Sequence, residues 1–296
     1  MSIDVEPMHP LFVAKVTGVE LARPVPAADF ALLEAAIDRY AVLIFPGQAI
    51  DDDQQIAFSA RFGPLEGAAK RLLTGAKARN QRHEIADVSN LDENDGILSA
   101  DDRRRLYSLG NQLWHTDASF RAVPARYSLL SARTIPPEGG ETEFADLRAA
   151  YDALPDSMKA RLAGLVAEHS IWHSRGLVAE FEADAAERAA LPPVPQMVVR
   201  LHPGSKRRTL YLAAHAFRIR GMTDEAGKAL LDELTAHATQ PRFVYQHRWT
   251  VGDLVMWDNR CTMHRGRPYD DQRYRRDMHR TTVRDVASTL DQVTAA

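Results

Sequence analysis

The sequence contains a single cysteine, Cys261, among its 296 residues. One thiol cannot form a disulfide within the chain, which is typical of proteins that fold in a reducing compartment. Neither sign of charge is in large excess, because 37 lysines and arginines are matched by 40 aspartates and glutamates. This near balance argues against a general attraction to nucleic acid or to an acidic membrane surface.

Long apolar runs are also missing, so the sequence predicts no transmembrane helix. The opening segment MSIDVEPMHP lacks the basic and apolar regions of a secretory signal. These absences predict a cytoplasmic protein. Hydrophobic residues make up 45% of the sequence, enough for a sizeable core, and no repeat or low-complexity linker divides the chain. We therefore expect a single domain over residues 1–296.

Short apolar runs separated by turn residues predict many strands with a few helices between them. The predicted helices lie within residues 28–40, 51–63, 145–165, 180–190 and 223–238. The predicted strands lie near residues 41–48, 112–120, 126–134, 196–201, 208–213, 242–248, 253–257, 261–265 and 278–284. Segments 64–83 and 92–110 are polar with little periodicity, and they predict long loops of the kind that often cover a site.

Three residues indicate a metal site: His115 and Asp117 in NQLWHTDASF, and His264 in MWDNRCTMHRG. On the predicted strand 112–120, residues i and i+2 point to the same side, so His115 and Asp117 would face one ion. Two imidazoles and one carboxylate form a facial triad, whose usual metal is Fe(II) and whose opposite face stays open. An ordinary half-exposed strand could carry the same His-x-Asp pair, so the motif alone leaves both interpretations open.

Cys261 lies three residues before His264 and is a second possible ligand. A lone cysteine is more often a small core residue, and we favour that interpretation.

The motifs around these residues resemble the TauD/TfdA family of Fe(II)- and 2-oxoglutarate-dependent dioxygenases. The resemblance extends from about residue 9 to residue 284 and includes FPGQ, WHTD, PPEGGETEF and the WDNR that precedes His264. An arginine follows His264 by about a dozen residues and another comes four later, here Arg276 and Arg280. The opening MHPLF and the run ATQPRFVYQHRWTVGDLVMWDNR are most similar to the branch that acts on 2,4-dichlorophenoxyacetate.

The resemblance implies a mainly β fold with flanking helices, a double-stranded β-helix or jelly-roll. It implies that His115, Asp117 and His264 bind Fe(II), and that Arg276 and Thr142 bind the co-substrate 2-oxoglutarate. A forked guanidinium suits the distal carboxylate of that molecule. The loop after His264 is one residue longer than in similar sequences, so Arg275 would take this role if the register shifts.

The resemblance further assigns the substrate to Arg280, His215 and Asn111, although a lone histidine such as His215 could equally be a core residue. The implied reaction uses O2 to hydroxylate an aryloxyacetate next to its ether oxygen, giving a phenol, glyoxylate, succinate and CO2. The same residues could instead act on a sulfonate, an alkyl sulfate or another carboxylate. A zinc site, hydrolytic or structural, and a non-enzymatic binding jelly-roll are further alternatives.

The expected partner is a small anionic molecule, with no membrane partner. Asp270, Asp271 and Asp277 interrupt the basic run 265–284, which argues against a nucleic-acid surface. We expect a homo-oligomer, a dimer or larger.

Overall fold

A computed structural model describes residues 3–72, 78–80, 82–178 and 181–292. The strands are β1 (Asp4–Pro7), β2 (Ala14–Thr17), β3 (Val42–Phe45), β4 (Ala86–Asp87), β5 (Ala125–Thr134), β6 (Thr142–Asp146), β7 (Val166–His169), β8 (Val194–Met197), β9 (Val199–Leu201), β10 (Arg208–Leu210), β11 (Ala216–Ile219), β12 (Val244–His247), β13 (Leu254–Asp258), β14 (Thr262–Gly266) and β15 (Asp277–Arg284). The helices are α1 (Ala27–Tyr40), α2 (Asp52–Ala60), α3 (Arg103–Leu109), α4 (Leu147–Asp152), α5 (Asp156–Leu162), α6 (Ile171–Arg175), α7 (Ala185–Ala190) and α8 (Asp224–Ala238). Short 3₁₀ turns cover Ala69–Leu72, Gly110–Gln112 and Pro241–Phe243.

Two sheets enclose the centre of the molecule. The larger one has the strand order β1-β2-β3-β13-β5-β15-β4 and is antiparallel except where β2 pairs with β3. The smaller one has the order β12-β6-β14. Phe144 of β6 packs with Leu130 of β5 and Trp257 of β13, so the two sheets face each other across a shared core. The predicted mainly β jelly-roll with flanking helices is confirmed.

Strand β3 shows why its sequence, VLIF, is apolar throughout. Side chains alternate between the two faces of a strand. Val42 and Ile44 contribute to the core between the sheets, whereas Leu43 and Phe45 pack on the other face. Helices α1 and α2 cover that outer face, where their apolar residues join the same cluster as Leu43. A strand buried on both faces needs an uninterrupted apolar run.

The helices predicted over 28–40, 51–63 and 223–238 are confirmed as α1, α2 and α8. Helix α2 starts where its sequence predicts, because Asp51 and Gln54 form a capping box. The loop predicted over 92–110 contains α3 instead, and Asp102 caps it by accepting a hydrogen bond from the backbone N–H of Arg104 (2.8 Å). Parts of the predicted loop 64–83 and helix 180–190 lie outside the described residues. No helix in the described ranges is long and apolar enough to cross a membrane.

The strand predicted over 112–120 is wrong. This segment leaves the turn Gly110–Gln112, makes one isolated bridge through His115 and then enters a turn. Ala118 has a φ of 54°, in the left-handed region that a strand residue does not adopt. The aromatic residues that suggested a strand pack against other elements instead. Phe120, for example, belongs to the cluster of Tyr107 and Phe181.

His279 of β15 connects the large sheet to the start of α2. Its Nδ1 lies 2.6 Å from Asp52 Oδ1, and its Nε2 lies 3.3 Å from Asp277 Oδ1. Burial alone would lower the pKa of His279, but the two carboxylates raise it to about 9. Arg79 also binds Asp277 with two hydrogen bonds of 2.8 Å, so the cluster holds segment 78–80 on the same strand.

The raised pKa of His279 predicts a loss of stability in alkali. Its contribution should be complete below the ordinary pKa of 6.5 and should disappear as the pH rises through about 9. Thermal unfolding should therefore show His279→Gln less stable than the wild type at neutral pH, with the two proteins converging in alkali. His83 is exposed, so His83→Gln is the matched control. A stability difference that does not change with pH would contradict the assignment.

Candidate functional site

The two histidines predicted as metal ligands lie side by side because their backbones pair directly. The N–H of His115 donates to the carbonyl of His264 (3.0 Å), and the N–H of His264 donates to the carbonyl of His115 (2.8 Å). Residues opposite each other in such a bridge hold their side chains close together. The ring centroids are 4.2 Å apart, and both imidazoles are buried.

Asp117 completes the group from the turn that follows. His115 Nε2 lies 3.8 Å from Asp117 Oδ1, and His264 Nε2 lies 3.7 Å from Asp117 Oδ2. The potential ligand atoms of these three residues all lie within 4.8 Å of one another. The structure thus brings the three predicted ligands together, although a bridge and a turn present them rather than a strand.

A network of hydrogen bonds fixes the Asp117 carboxylate. Ser128 Oγ donates to Oδ2 (2.7 Å), and Arg280 Nη1 donates to Oδ1 (2.5 Å). Asn259 Nδ2 donates to Ser128 Oγ (2.9 Å), and Asn259 Oδ1 accepts from the N–H of Asp117 (3.1 Å). The indole of Trp257 donates to that same Asn259 oxygen (3.1 Å). The backbone and the side chain of Asp117 are therefore oriented from β5, from β15 and from the residue that follows β13.

The protonation states of His115, His264 and Asp117 suit the binding of a metal ion. His115 Nδ1 lies 2.7 Å from the carbonyl of Leu113, which can only accept, so Nδ1 carries the hydrogen and Nε2 keeps its lone pair. Burial lowers the pKa of His115 to about 4 and that of His264 well below its ordinary value. Burial alone would raise the pKa of Asp117, but Arg280 and the two imidazoles lower it to about 2. Neutral imidazoles and an ionised carboxylate are the forms that bind metal ions.

Two imidazoles and one carboxylate fit a ferrous ion better than a structural zinc, which usually has four protein ligands and often thiolates. Cys261 is not part of this group. It is fully buried in a separate cluster with His202 and Asp258. Asp258 is held there by Arg260 (2.5 Å) and by His202 (2.9 Å). Cys261 is thus separate from the three predicted ligands and fully buried, and its assignment as a core residue stays a prediction.

A first cavity opens beside the two histidines and is lined, among others, by Asn111, Thr142, Arg276 and Arg280. Arg276 is 8% exposed and makes only long contacts of 3.4 Å with the carbonyls of Val88 and Gly140. Burial lowers the pKa of Arg276. Within the described residues no carboxylate is paired with it, so its charge is available to an anion in the cavity.

The hydroxyl of Thr142 and the exposure of Arg275 also bear on what this cavity can bind. Thr142 Oγ1 accepts a hydrogen bond from the indole of Trp249 (3.0 Å), so its own hydrogen remains free to donate to a ligand. Arg275 is exposed, whereas Arg276 lines the cavity. Of these two adjacent arginines, Arg276 is therefore the one that reaches the cavity.

A second cavity is lined by His115 and Asp117 and also by Tyr107, Phe120 and His215. Asn111 and Arg280 border both cavities. His215 is 1% exposed, and its Nδ1 lies 2.8 Å from Ser174 Oγ, while its ring meets Phe120 edge-on at 5.1 Å. The three residues predicted to contact a substrate thus border this cavity, and Arg280 already holds the carboxylate of Asp117.

Several polar residues of the site were not predicted from the sequence. Ser128 and Trp249 carry no motif, and they become recognisable only through their hydrogen bonds to Asp117 and Thr142. Asn259 belongs to the WDNR motif that carried the resemblance, so that signal was available but its role was not assigned. Arg175 at the end of α6 was also missed, and it lines the second cavity.

Comparison with known proteins identifies the family. Residues 4–282 match the model of the family described as "Taurine catabolism dioxygenase TauD, TfdA family". The match covers most of the chain, and the protein therefore belongs to the TauD/TfdA family of dioxygenases, which are oxidoreductases. The family predicted from the sequence is confirmed.

Among its relatives is an alpha-ketoglutarate-dependent 2,4-dichlorophenoxyacetate dioxygenase of Burkholderia sp. (strain RASC), 48% identical over 96% of this chain and 95% of the relative. An enzyme of the same name from Cupriavidus pinatubonensis (strain JMP 134 / LMG 1197) is 46% identical over 97% of this chain and 99% of the relative. The crystal structure of AAD-2 in complex with Mn(II) and N-oxalylglycine superposes with a TM-score of 0.90 at 46% identity, over 99% of this chain and 100% of that one.

The network around Asp117 leads to a prediction about metal affinity. Ser128→Ala removes one of the two side-chain hydrogen bonds to the carboxylate and should weaken metal binding by about ten-fold to 100-fold. Equilibrium dialysis against Mn(II) without oxygen measures this directly. Ser131 lies on the same strand but bonds to Gln55 Oε1 (2.7 Å), so Ser131→Ala is the matched control. Equal losses in both variants would show that Ser128 acts only through the fold.

Proposed function

We propose that this protein is an Fe(II)- and 2-oxoglutarate-dependent dioxygenase that hydroxylates an aryloxyacetate, such as 2,4-dichlorophenoxyacetate, next to the ether oxygen. The observation that carries the proposal is the buried, uncompensated Arg276 in a cavity that also contains His115 and His264. A metal group beside an uncommitted guanidinium suits a co-substrate that chelates with one end and ends in a carboxylate. The names of the two 2,4-dichlorophenoxyacetate dioxygenases support the substrate class.

His115, Asp117 and His264 would hold the iron through Nε2, a carboxylate oxygen and Nε2. When bound, the iron supplies the oxidation of the substrate by O2, coupled to conversion of 2-oxoglutarate into succinate and CO2. Ser128 and Arg280 keep the Asp117 carboxylate oriented and ionised for this role.

Arg276 and Thr142 would bind the distal carboxylate of 2-oxoglutarate. The guanidinium offers a planar pair of donors that matches a carboxylate, and the free hydrogen of Thr142 adds a further donor. Because Arg276 is buried, this pairing forms away from bulk water, where it discriminates strongly against molecules without the second carboxylate.

The aryloxyacetate would lie in the second cavity with its carboxylate towards Arg280. Asn111 and His215 border the same space. The carbon next to the carboxylate would then face the metal ligands, and the aromatic ring would contact Tyr107 and Phe120. Hydroxylation of that carbon, which also bears the ether oxygen, gives a hemiacetal. Loss of the phenol from the hemiacetal leaves glyoxylate, so the aromatic ring itself is not oxidised.

Further expectations belong to the same proposal: a single dioxygenase domain, a cytoplasmic location, a homo-oligomeric assembly and no nucleic-acid partner. The charge pattern of the 265–284 region supports the last of these. Asp271 pairs with Arg105 (2.9 Å), and Asp277 pairs with Arg79 (2.8 Å), so acidic and basic groups alternate on that surface.

The co-substrate assignment predicts distinct effects of two adjacent arginines. Arg276→Ala removes the cation for the distal carboxylate and should raise KM for 2-oxoglutarate by about ten-fold or more, because losing one partner of a buried charge pair costs about 2–5 kcal/mol. Arg275→Ala changes an exposed residue and should leave that KM unchanged. The reverse result would place the co-substrate on Arg275.

The substrate assignment predicts a one-for-one product ratio. Phenoxyacetate and its chlorinated forms, incubated with Fe(II), 2-oxoglutarate and oxygen, should release the phenol in the same amount as succinate. Quantifying both products by chromatography, with an aliphatic sulfonate and an alkyl sulfate run in parallel, tests this. Coupled turnover of the sulfonate or sulfate without any phenol from the aryloxyacetates would refute the proposed substrate.

A further inference from the structure

Five arginines of the described part of the chain are less than a tenth exposed: Arg148, Arg175, Arg200, Arg260 and Arg276. Three of them have an aspartate partner, in the pairs Arg148–Asp146 (3.1 Å), Arg200–Asp285 (2.7 Å) and Arg260–Asp258 (2.5 Å). The other two, Arg175 and Arg276, have no carboxylate partner among the described residues. Both of these line a cavity that reaches the metal ligands. Among the described residues, the buried guanidinium groups are thus paired with aspartates, except for the two that line cavities, where a ligand could supply the negative charge.

Arg175 ends helix α6 and is 4% exposed. Its Nη2 donates to Asn111 Oδ1 (3.1 Å), and its guanidinium lies over the ring of Tyr107, 4.4 Å from the centroid. Neither Nε nor Nη1 has a partner in hydrogen-bonding geometry. Burial lowers the pKa of Arg175, and Tyr107 offsets only part of this. A buried cation with unused donors is a binding position for an anion.

A glycine makes room for this guanidinium. A Cβ built on Gly110 would lie 1.8 Å from Arg175 Nη1, so no other residue fits there unless the arginine moves. The φ of Gly110 is −61°, which any residue adopts, so the backbone does not require glycine at this position. Glycine is needed at position 110 because the Arg175 guanidinium occupies the space that a side chain would take. Residue 110 therefore helps to determine where this charge lies.

We propose that Arg175 is a second anion-binding residue of the substrate cavity, and that it holds the carboxylate of the substrate together with Arg280. The inference rests on the proposed function and extends it. Arg280 is only partly available as an anchor, because its Nη1 is already bonded to Asp117 Oδ1, although its Nε has no partner. A carboxylate received by both arginines neutralises the cation that the protein leaves uncompensated. A neutral analogue would leave it buried without a counter-ion, so the cavity should strongly reject uncharged substrates.

The test compares phenoxyacetate with its uncharged analogue phenoxyacetamide. Binding to the Mn(II)- and 2-oxoglutarate-loaded protein is measured by titration calorimetry without oxygen, with benzenesulfonate as a second anion. Arg175→Met, which keeps the length of the side chain but not its charge, should weaken anion binding by about ten-fold or more, as expected when one partner of a buried charge pair is lost. Phenoxyacetamide should bind the wild type poorly and should bind the variant at least as well, because the uncompensated charge is gone. Arg175→Lys should recover part of the preference for anions.

Gly110→Ala provides an independent variant that leaves Arg175 in the sequence. Its added methyl should displace the guanidinium and reproduce the loss of anion binding, while thermal stability is maintained. Gly176 is the matched control, because it directly follows Arg175, has a φ of −70°, and a Cβ there would meet only ordinary contacts of 3.5 Å. Gly176→Ala should bind anions as the wild type does.

Three results would overturn the inference. One is unchanged anion binding in Arg175→Met. Another is an equal loss for phenoxyacetate and phenoxyacetamide, which would mean that Arg175 only braces Tyr107 and Asn111. The last is a wild type that binds neither anion. A wild type that binds benzenesulfonate through Arg175 but releases no phenol from phenoxyacetate would support the anion site and refute the aryloxyacetate substrate.

Discussion

The site depends on one buried carboxylate, that of Asp117. An ionised carboxylate with almost no solvent exposure is unfavourable unless each oxygen has a partner. Arg280 supplies a charge for one oxygen, and Ser128 supplies a hydroxyl for the other. Because β5 and β15 carry these two residues, the position of the carboxylate is set by the pairing of strands in the large sheet. The turn around Ala118, with its left-handed backbone, places Asp117 next to these two partners on the sheet.

The presence or absence of a carboxylate partner also separates the structural arginines from those that are available to ligands. The ion pair of Arg260 and Asp258 is complete within the protein and lies inside the WDNR segment itself. Arg276, by contrast, faces a cavity with carbonyl contacts only. Since both types are equally buried, burial alone does not distinguish them. The distinguishing feature is whether the protein itself provides the counter-charge.

Much of the fold and part of the candidate site could be predicted from the sequence, for identifiable reasons. Short apolar runs bounded by turn residues are local signals, and β3 and β5 were both predicted. The three proposed metal ligands lie together although the strand proposed for His115 and Asp117 was wrong, because one bridge residue and one turn residue can converge as well as two strand residues. Spacing could not separate Arg275 from Arg276, since only burial distinguishes them. Ser128 and Arg175 could not be predicted, because their importance comes from contacts with Asp117 and Asn111, which are 11 and 64 residues away in the chain.

The charges that line the first cavity also determine how its ligands influence each other. Four arginines and one aspartate border this space, and of these arginines Arg276 is the one that no carboxylate of the described residues neutralises. Before any ligand enters, the surplus of positive charge repels a divalent cation and attracts a dianion. Once the dianion is present that repulsion disappears, and once the cation is present the attraction for the dianion increases. Metal and co-substrate are therefore positively coupled by electrostatics, and reciprocity requires each to raise the affinity for the other by the same factor. Protein deprived of 2-oxoglutarate should consequently retain its metal poorly during purification, even though all three protein ligands are intact.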